Sequence, residues 1–281
     1  MIRIRSCEGF GEMEACVQLQ VETWGYDETD LIPRKTFMLA GKIGGQVIGA
    51  FEGEDPAKRS APDSGKLVGF ALSLPGIKSG GNANEPGRSA PRPYLHSHML
   101  AVKEGYRNRG LGAQLKQEQR REALERGIRH MEWTFDPLEI KNAFLNIHRL
   151  GVFVRGYRPD FYGVSSSRLQ GGLPTDRLLA EWELDSPRVS AALDGHPAVA
   201  EIEERIVVPA AISQWKAEGS RERALSVQLE NRRKFQQAFG RGMAVVGFSL
   251  DSEGNGVFEL GWLAGSDEIF RGTRKRMRHN L

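Results

Sequence analysis

The run Arg107-Asn108-Arg109-Gly110-Leu111-Gly112 constrains this chain more than any other. It stands between a strand-like segment, Tyr94–Val102 (YLHSHMLAV), and a stretch of good helix formers, AQLKQEQRREALERG, closed by Gly127. Glycines at such a strand–loop–helix junction let the backbone approach a ligand closely, and the first helical turn has N–H groups without internal partners. Those donors, with the helix dipole behind them, favour an anion such as a diphosphate, to which arginine adds charge-assisted bonds. No Lys-Ser/Thr follows the glycines, which excludes a Walker phosphate loop, and the lack of G-x-G-x-x-G excludes a dinucleotide fingerprint.

Composition narrows the class. At ~100–200 residues per domain, 281 residues make one large domain or two small ones. A chain that is 40% hydrophobic and 27% charged is globular rather than disordered. Cys7 and Cys16 lack the spacing of a disulfide framework or a structural zinc site, so no metal is expected and a reducing cytoplasm is the expected compartment. The opening MIRIRSCEGF has no apolar signal-peptide core, and nowhere do 18 apolar residues run together, so no membrane partner is expected. In residues 266–281, Arg271, Arg274, Lys275, Arg276 and Arg278 face only Asp267 and Glu268, which accounts for the whole net charge of +3. The body is neutral, so nucleic acid is not an expected partner, and 266–281 reads as a disordered basic tail.

The hydrophobic pattern gives a mixed α/β order. Ile2–Arg5 alternates as a strand, residues 8–23 suit a helix, and Pro33 starts another through Phe37, Met38 and Leu39. QVIGAF at 46–51 and KLVGFALSL at 66–74 are strands across a polar loop, and residues 76–93 form a flexible loop or lid. The helix after the glycine loop carries Leu111, Leu115, Ala123 and Leu124, a stripe broken by polar residues, which predicts one weakly buried side. Residues 129–135 alternate, with Met131, Trp133 and Phe135 on one face. Ala143, Ile147 and Leu150 make 139–150 an amphipathic helix, and strands follow at 152–157 and 178–184. Pro187 to Pro197 reads as a boundary. Beyond it the order β-α-α-β-β over 199–263 repeats that of residues 2–74, either as a degenerate half-repeat or as an unrelated lobe. The expected domains are 1–186, 187–265 and the tail.

HMLAVKEGYRNRGLGAQL resembles the acetyl-CoA loop of the GNAT superfamily of N-acetyltransferases. In that family a strand ending in an L-A-V-like triplet leads into a Q/R-x-x-G-x-G/A loop that caps a helix. Asn142 to Gly151 (NAFLNIHRLG) resembles the family's second signature, and the resemblance covers about residues 1–184. It implies a mostly antiparallel mixed sheet flanked by helices, extended here by a smaller C-terminal lobe. It also implies acetyl-CoA as co-substrate. Backbone of Leu100, Ala101 and Val102 would hold the pantetheine arm, Arg107, Asn108, Arg109, Gly110, Leu111 and Gly112 the pyrophosphate, and Asn142 and Asn146 would contact the arm. The same two asparagines are also read as a cap and a solvated polar position.

His96 and His98 alternate on the strand before the loop and so share a face. An imidazole of reference pKa ~6.5 suits a general base, which sets the acid limb of the rate at about 6–7.5. The spacing H-x-H-x-L-A-V resembles serotonin N-acetyltransferase, where two histidines serve amine deprotonation. The family's usual acid position holds Ile147; Tyr157 and Tyr162 are alternatives, with aromatic packing the simpler account of each, and Tyr162 is taken as the candidate. The expected function is acyl transfer from CoA to a primary amine of a small molecule or peptide, by direct attack. The alternative is a GNAT-shaped acyl-CoA sensor or partner-binding module without catalysis. A homodimer is left open.

Overall fold

Short apolar runs between polar turns become strands, and helices with apolar stripes cover the sheet they form. The computed structural model describes residues 1–53, 65–78, 90–197, 200–217 and 220–263. Most of the hairpin loop after Glu52, most of the 76–93 loop and all of the 266–281 tail lie outside the described residues. Two compact units emerge: Met1–Trp133 with Val164–Gly171 and Glu183–Asp185, and Thr134–Gly163 with Gly172–Trp182 and Ser186 onward. The fold is mixed α/β with mostly antiparallel strands. Among the described residues no helix is long and apolar enough to cross a membrane.

In the first unit the strands run in the order β1 (Ile2–Ser6), β2 (Gln46–Glu52), β3 (Lys66–Lys78), β4 (Arg92–Val102) and β5 (His130–Phe135, all but its last two residues). Neighbours are antiparallel through β4, and β4 meets β5 in parallel. Helices α1 (Gly9–Trp24) and α2 (Arg34–Lys42) bury Met13, Cys16, Val17 and Phe37 against Phe51, Phe70, Met99 and Ala101 on one face. Both cysteines are free thiols in this core. Helix α3 (Leu111–Glu125) covers the other face with Leu111 and Leu115 against Ile48, Ala50, Val68 and Ala71.

The polar residues that interrupt the stripe of α3 include two that are buried, Lys116 and Gln119. Lys116 Nζ donates to Ser97 Oγ at 2.7 Å, and Ser97 Oγ donates to Gln119 Oε1 at 3.0 Å. Gln46 Nε2 donates to the Gln119 carbonyl at 2.9 Å, and Ser73 Oγ donates to Gln46 Oε1. The Lys116 ammonium also lies 3.4 Å from the centroid of the Trp133 ring. Burial pushes this lysine well below its ordinary pKa. Polar spacing therefore understated how much of α3 faces inward, because hydrogen bonds replace apolar contact there.

In the second unit the order is β7 (Arg177–Glu183, all but its last residue), β6 (Phe153–Arg158), β9 (Ala244–Leu250), β10 (Gly256–Gly261) and β8 (Glu204–Val208). The expected 139–150 helix is present, but α4 (Ile140–Ala143) widens into a π-helical turn over Phe144–Arg149. Ala143, Ile147 and Leu150 are all buried, as their spacing predicts. The 187–197 boundary instead opens as α5 (Pro187–Leu193), capped by Ser186 Oγ, which accepts from Val189 N–H at 3.3 Å. Serine followed by proline marks a helix start as well as a chain break. Helices α6 (Ile212–Ala217) and α7 (Arg221–Gly240) complete the β-α-α-β-β order. Its pairing differs from that of the first half: β1 joins β2, whereas β8 joins β10. The β9 edge is already taken by β6, so the incoming strand adds at the other edge of the hairpin.

The fully buried Asp176 is the polar anchor of this unit. Arg232 grips it with two bonds, Nε to Oδ2 at 2.8 Å and Nη2 to Oδ1 at 2.7 Å. The Tyr157 hydroxyl donates to Oδ2 at 2.5 Å, and Asp160 N–H donates to Oδ1. Burial and this carboxylate both push the Tyr157 hydroxyl well up. Replacing Arg232 by Met leaves a buried carboxylate without its cation, so a loss of about 3–5 kcal/mol is expected in urea unfolding. Arg232→Lys, a cation without the bidentate fork, should recover part of that loss.

Candidate active site

Between β4 and α3 the chain makes one short helical turn, Glu104–Tyr106, and then the glycine loop. Asn108 and Gly110 both take left-handed φ, 60° and 78°. Glycine adopts this readily and asparagine tolerates it. Gly110 is the N-cap of α3 and no side chain caps the helix, so the donors of its first turn stay open to a ligand. A Cβ built on Gly110 would meet no atom within 4 Å, so the space before the helix is clear. Arg107 and Arg109 flank it on exposed backbone; Arg107 Nε donates to Val102 O at 3.0 Å and Arg109 lies over the Tyr106 ring.

The strand leading into the loop has a free edge. β4 pairs with β5 at only two positions, Leu95↔Met131 and His96↔Glu132, so Ser97 to Val102 have no strand partner on that side. On the opposite side Lys103 N–H donates to Val68 O. Hydrogen-bonding direction alternates along a strand, so Leu100 and Val102 turn their backbone groups to the free edge while Ala101 turns its own to β3. Of the three residues that the resemblance names, two therefore turn their backbone groups outward, and the Val102 carbonyl already accepts from Arg107 Nε.

A bulge sits at the start of this edge. The register runs Ser73↔Ser97 and then Leu72↔Met99, which skips His98. Ser97 faces α3 through Lys116 and Gln119, whereas Met99 and Ala101 face α1 and α2. The extra residue lets His98 and Met99 follow one another on the same face. The His96 and His98 rings come to a centroid distance of 6.1 Å. Burial lowers the pKa of both imidazoles below the usual 6.5. For His96 the charge of His98 pushes the same way, that of Glu132 opposes it, and Lys116 adds to the lowering. Both rings are neutral at neutral pH and free to accept a proton.

Glu132 is the neighbour that the sequence did not single out. Its carboxylate lies 2.5 Å from Lys78 Nζ and 3.5 Å from His130 Nε2, and His130 Nδ1 is 2.9 Å from Glu183 Oε1. Tyr94 packs beside His130 at 6.1 Å between ring centroids. Burial alone would raise the Glu132 pKa, but the bonds from His130 and Lys78 outweigh it and hold the group at about 2. Burial would likewise lower His130, yet Glu132 and Glu183 carry it up. The alternation of Met131, Trp133 and Phe135 already places Glu132 on the opposite face of its strand. The sequence lacks any sign that β5 pairs with β4 in this register.

Asn142, Asn146 and Tyr162 belong to the second unit. Asn146 is buried and its Nδ2 donates to Asn142 Oδ1 at 3.1 Å across one helical turn. The half-exposed Tyr162 has its hydroxyl 2.8 Å from Thr134 Oγ1 and its ring against Phe161. Ile147, at the family's tyrosine position, is a buried apolar residue. Among the described residues no three His, Cys, Asp or Glu side chains are placed to hold a metal ion.

Residues 12–145 match the model of the acetyltransferase (GNAT) family. The chain is similar to the ribosomal-protein-S18-alanine N-acetyltransferase from Escherichia coli, with 15% identity, 66% of this chain and 96% of that chain covered, and a TM-score of 0.46. It is also similar to Arabidopsis thaliana NAA60 in complex with a bisubstrate analogue, with 17% identity, 65% and 98% covered, and a TM-score of 0.49. A comparison with curated proteins gives no match. The stretch matched by the family model holds the free edge of β4, the uncapped start of α3 and both histidines. Residues 12–145, a little under half of the chain, are thus similar to the acetyltransferase (GNAT) family.

Proposed function

We propose that the acetyl or short acyl group passes from CoA to a primary amine of a small molecule or peptide, by direct attack, with His96 as general base. One observation carries this reading: β4 bears two neutral imidazoles at the head of an unpaired edge that runs into an open helix start. Backbone groups of Leu100 and Val102 would pair with the pantetheine arm. The first-turn amides of α3, with Arg107 and Arg109, would hold the pyrophosphate.

In the reaction the amine lone pair attacks the thioester carbonyl carbon, forming the C–N bond and an oxyanion. The oxyanion collapses, the C–S bond breaks and the thiolate leaves with the electron pair. The proton shed by the amine nitrogen goes to His96. Glu132 stays ionised throughout and stabilises the imidazolium as it forms, while His98 disfavours a second charge beside it. A thiol of pKa near ~8.5 leaves without an enzymic acid. The acceptor would be found by following thiol release from acetyl-CoA against pooled amines, amino acids and peptides.

Four expectations follow from these roles. Gly110→Asp and Gly110→Asn both tolerate left-handed φ and differ only in charge. The Asp variant should lose the rise in Tm that acetyl-CoA gives, while Asn keeps most of it; equal stabilisation of both would place the diphosphate elsewhere. His96→Ala with His98→Ala should lower turnover by at least ~10-fold and leave acetyl-CoA affinity within a few-fold. The kcat/KM profile should fall on the acid side through a pKa below ~6.5 rather than the 6–7.5 expected for exposed imidazoles, because burial disfavours the charged ring. Glu132→Gln removes the one charge that favours imidazolium, so the acid limb should move lower still; a limb that moves up would reverse the assigned role.

A further inference from the structure

The second unit has a partly open cleft of about 250 Å³, lined by residues of the π-helical turn, α5, the segment before β8, and strands β9 and β10. It shares no residue with the histidine pair or the glycine loop. Two charged side chains reach it, and neither is neutralised. Arg188 is half-buried, and its hydrogen bonds go only to carbonyls: Nε to Gly151 O at 2.9 Å and Nη2 to Val246 O at 2.6 Å. Carbonyls satisfy N–H groups but carry no net charge, and Nη1 has no partner among the described residues. Among the described residues no carboxylate pairs with this guanidinium, which stays protonated at any working pH. A half-buried cation with no anion beside it loses part of its hydration without compensation, and a ligand carboxylate would supply the missing charge.

Glu259 is the opposite charge. It stands across from Gly247 in the β9–β10 register, and its Oε1 accepts from Ser249 Oγ at 2.9 Å. Any Cβ at position 247 would collide with Glu259 Oε2, so the glycine is what lets this carboxylate lie over the sheet. Glu259 makes no ion pair, with Arg188 or with any other described cation. Ile202 and Val246 give the same cavity apolar wall. A partly open cleft with a cation, an anion that does not pair with it, and an apolar lining matches a ligand with both complementary charges on an apolar body.

We propose that this cavity binds a small aminocarboxylate, with its carboxylate on Arg188, its ammonium on Glu259 and its apolar side chain against Ile202 and Val246. The site is separate from acyl transfer and makes the second unit a ligand-binding module.

Isothermal titration of the full chain with alanine, leucine and phenylalanine tests it. At least one should bind with a Kd under ~10 mM. For that amino acid, the amide, which lacks the carboxylate charge, and the N-acetyl derivative, which lacks the ammonium, should each bind at least ~10-fold more weakly. Glu259→Gln and Arg188→Met should weaken binding by a similar factor. Arg188 also holds two carbonyls, so Ile202→Trp, which fills the space from its wall and keeps both charges, is the second variant and should abolish binding. His96→Ala should leave it unchanged, and that result separates this site from an acceptor site at the histidines. No binding of any of the three, binding undiminished by Ile202→Trp, or loss of binding in His96→Ala would each overturn the proposal.

Discussion

The short pairing of β4 with β5 is the constraint on which the site depends. Two residues of contact, at Leu95 and His96, hold Glu132 beside His96, and the pairing then stops. Continued pairing would have consumed the outward backbone groups of Leu100 and Val102. Unpaired polar backbone at a strand edge is normally a liability. Here it lies directly upstream of an uncapped helix start, where unsatisfied donors again point outward. Two sets of unmet hydrogen bonds along one continuous path make a site for an extended ligand that carries amides at one end and phosphates at the other.

That path needs a rigid support, and buried polar bonds supply part of it. Lys116, Ser97 and Gln119 tie α3 to the middle of β4, and Gln46 with Ser73 carries the network back across β2 and β3. Such a network ties the helix to specific partners, whereas apolar contact alone lets it slide, since each bond has one partner at one distance. Ser97 is the residue immediately before the bulge at His98. The same bonds that hold α3 therefore also hold the strand on one side of the place where the histidines turn.

Local pattern made much of this legible and left the pairing out. The glycine loop, the strand before it and the helix after it follow from residue types at fixed spacing, as do the buried Ala143, Ile147 and Leu150. Alternation put His96 and His98 on one face, and the rings are neighbours. It reached that answer without the bulge, which depends on β3 and leaves no mark in the sequence of β4. Glu132 stayed hidden for a similar reason: a parallel partner strand is set by a crossover, and no local period encodes it. Polar residues breaking the stripe of α3 predict one weakly buried side, and Lys116 and Gln119 show that hydrogen-bonded polar residues extend that side inward. The 187–197 stretch reads as a boundary and contains α5, since serine followed by proline marks a helix start as well as a chain break.

The depressed pKa of His96 is a compromise between two demands on a general base. An aliphatic amine of pKa ~10 is mostly protonated at neutral pH, so a stronger base would take its proton more readily. A base of higher pKa would itself be protonated for more of the time, beside a second imidazole with the same preference. Burial and the neighbouring His98 keep His96 neutral, and Glu132 returns part of the lost basicity. Glu132 has this effect only because it is ionised at every relevant pH, and Lys78 and His130 keep it so. Strand β5 thus does more than close the sheet: its one paired carboxylate sets how strongly the base on β4 holds a proton. The residues that fix that charge lie on β3 and β5, outside the loop and the histidine pair through which the site first shows itself.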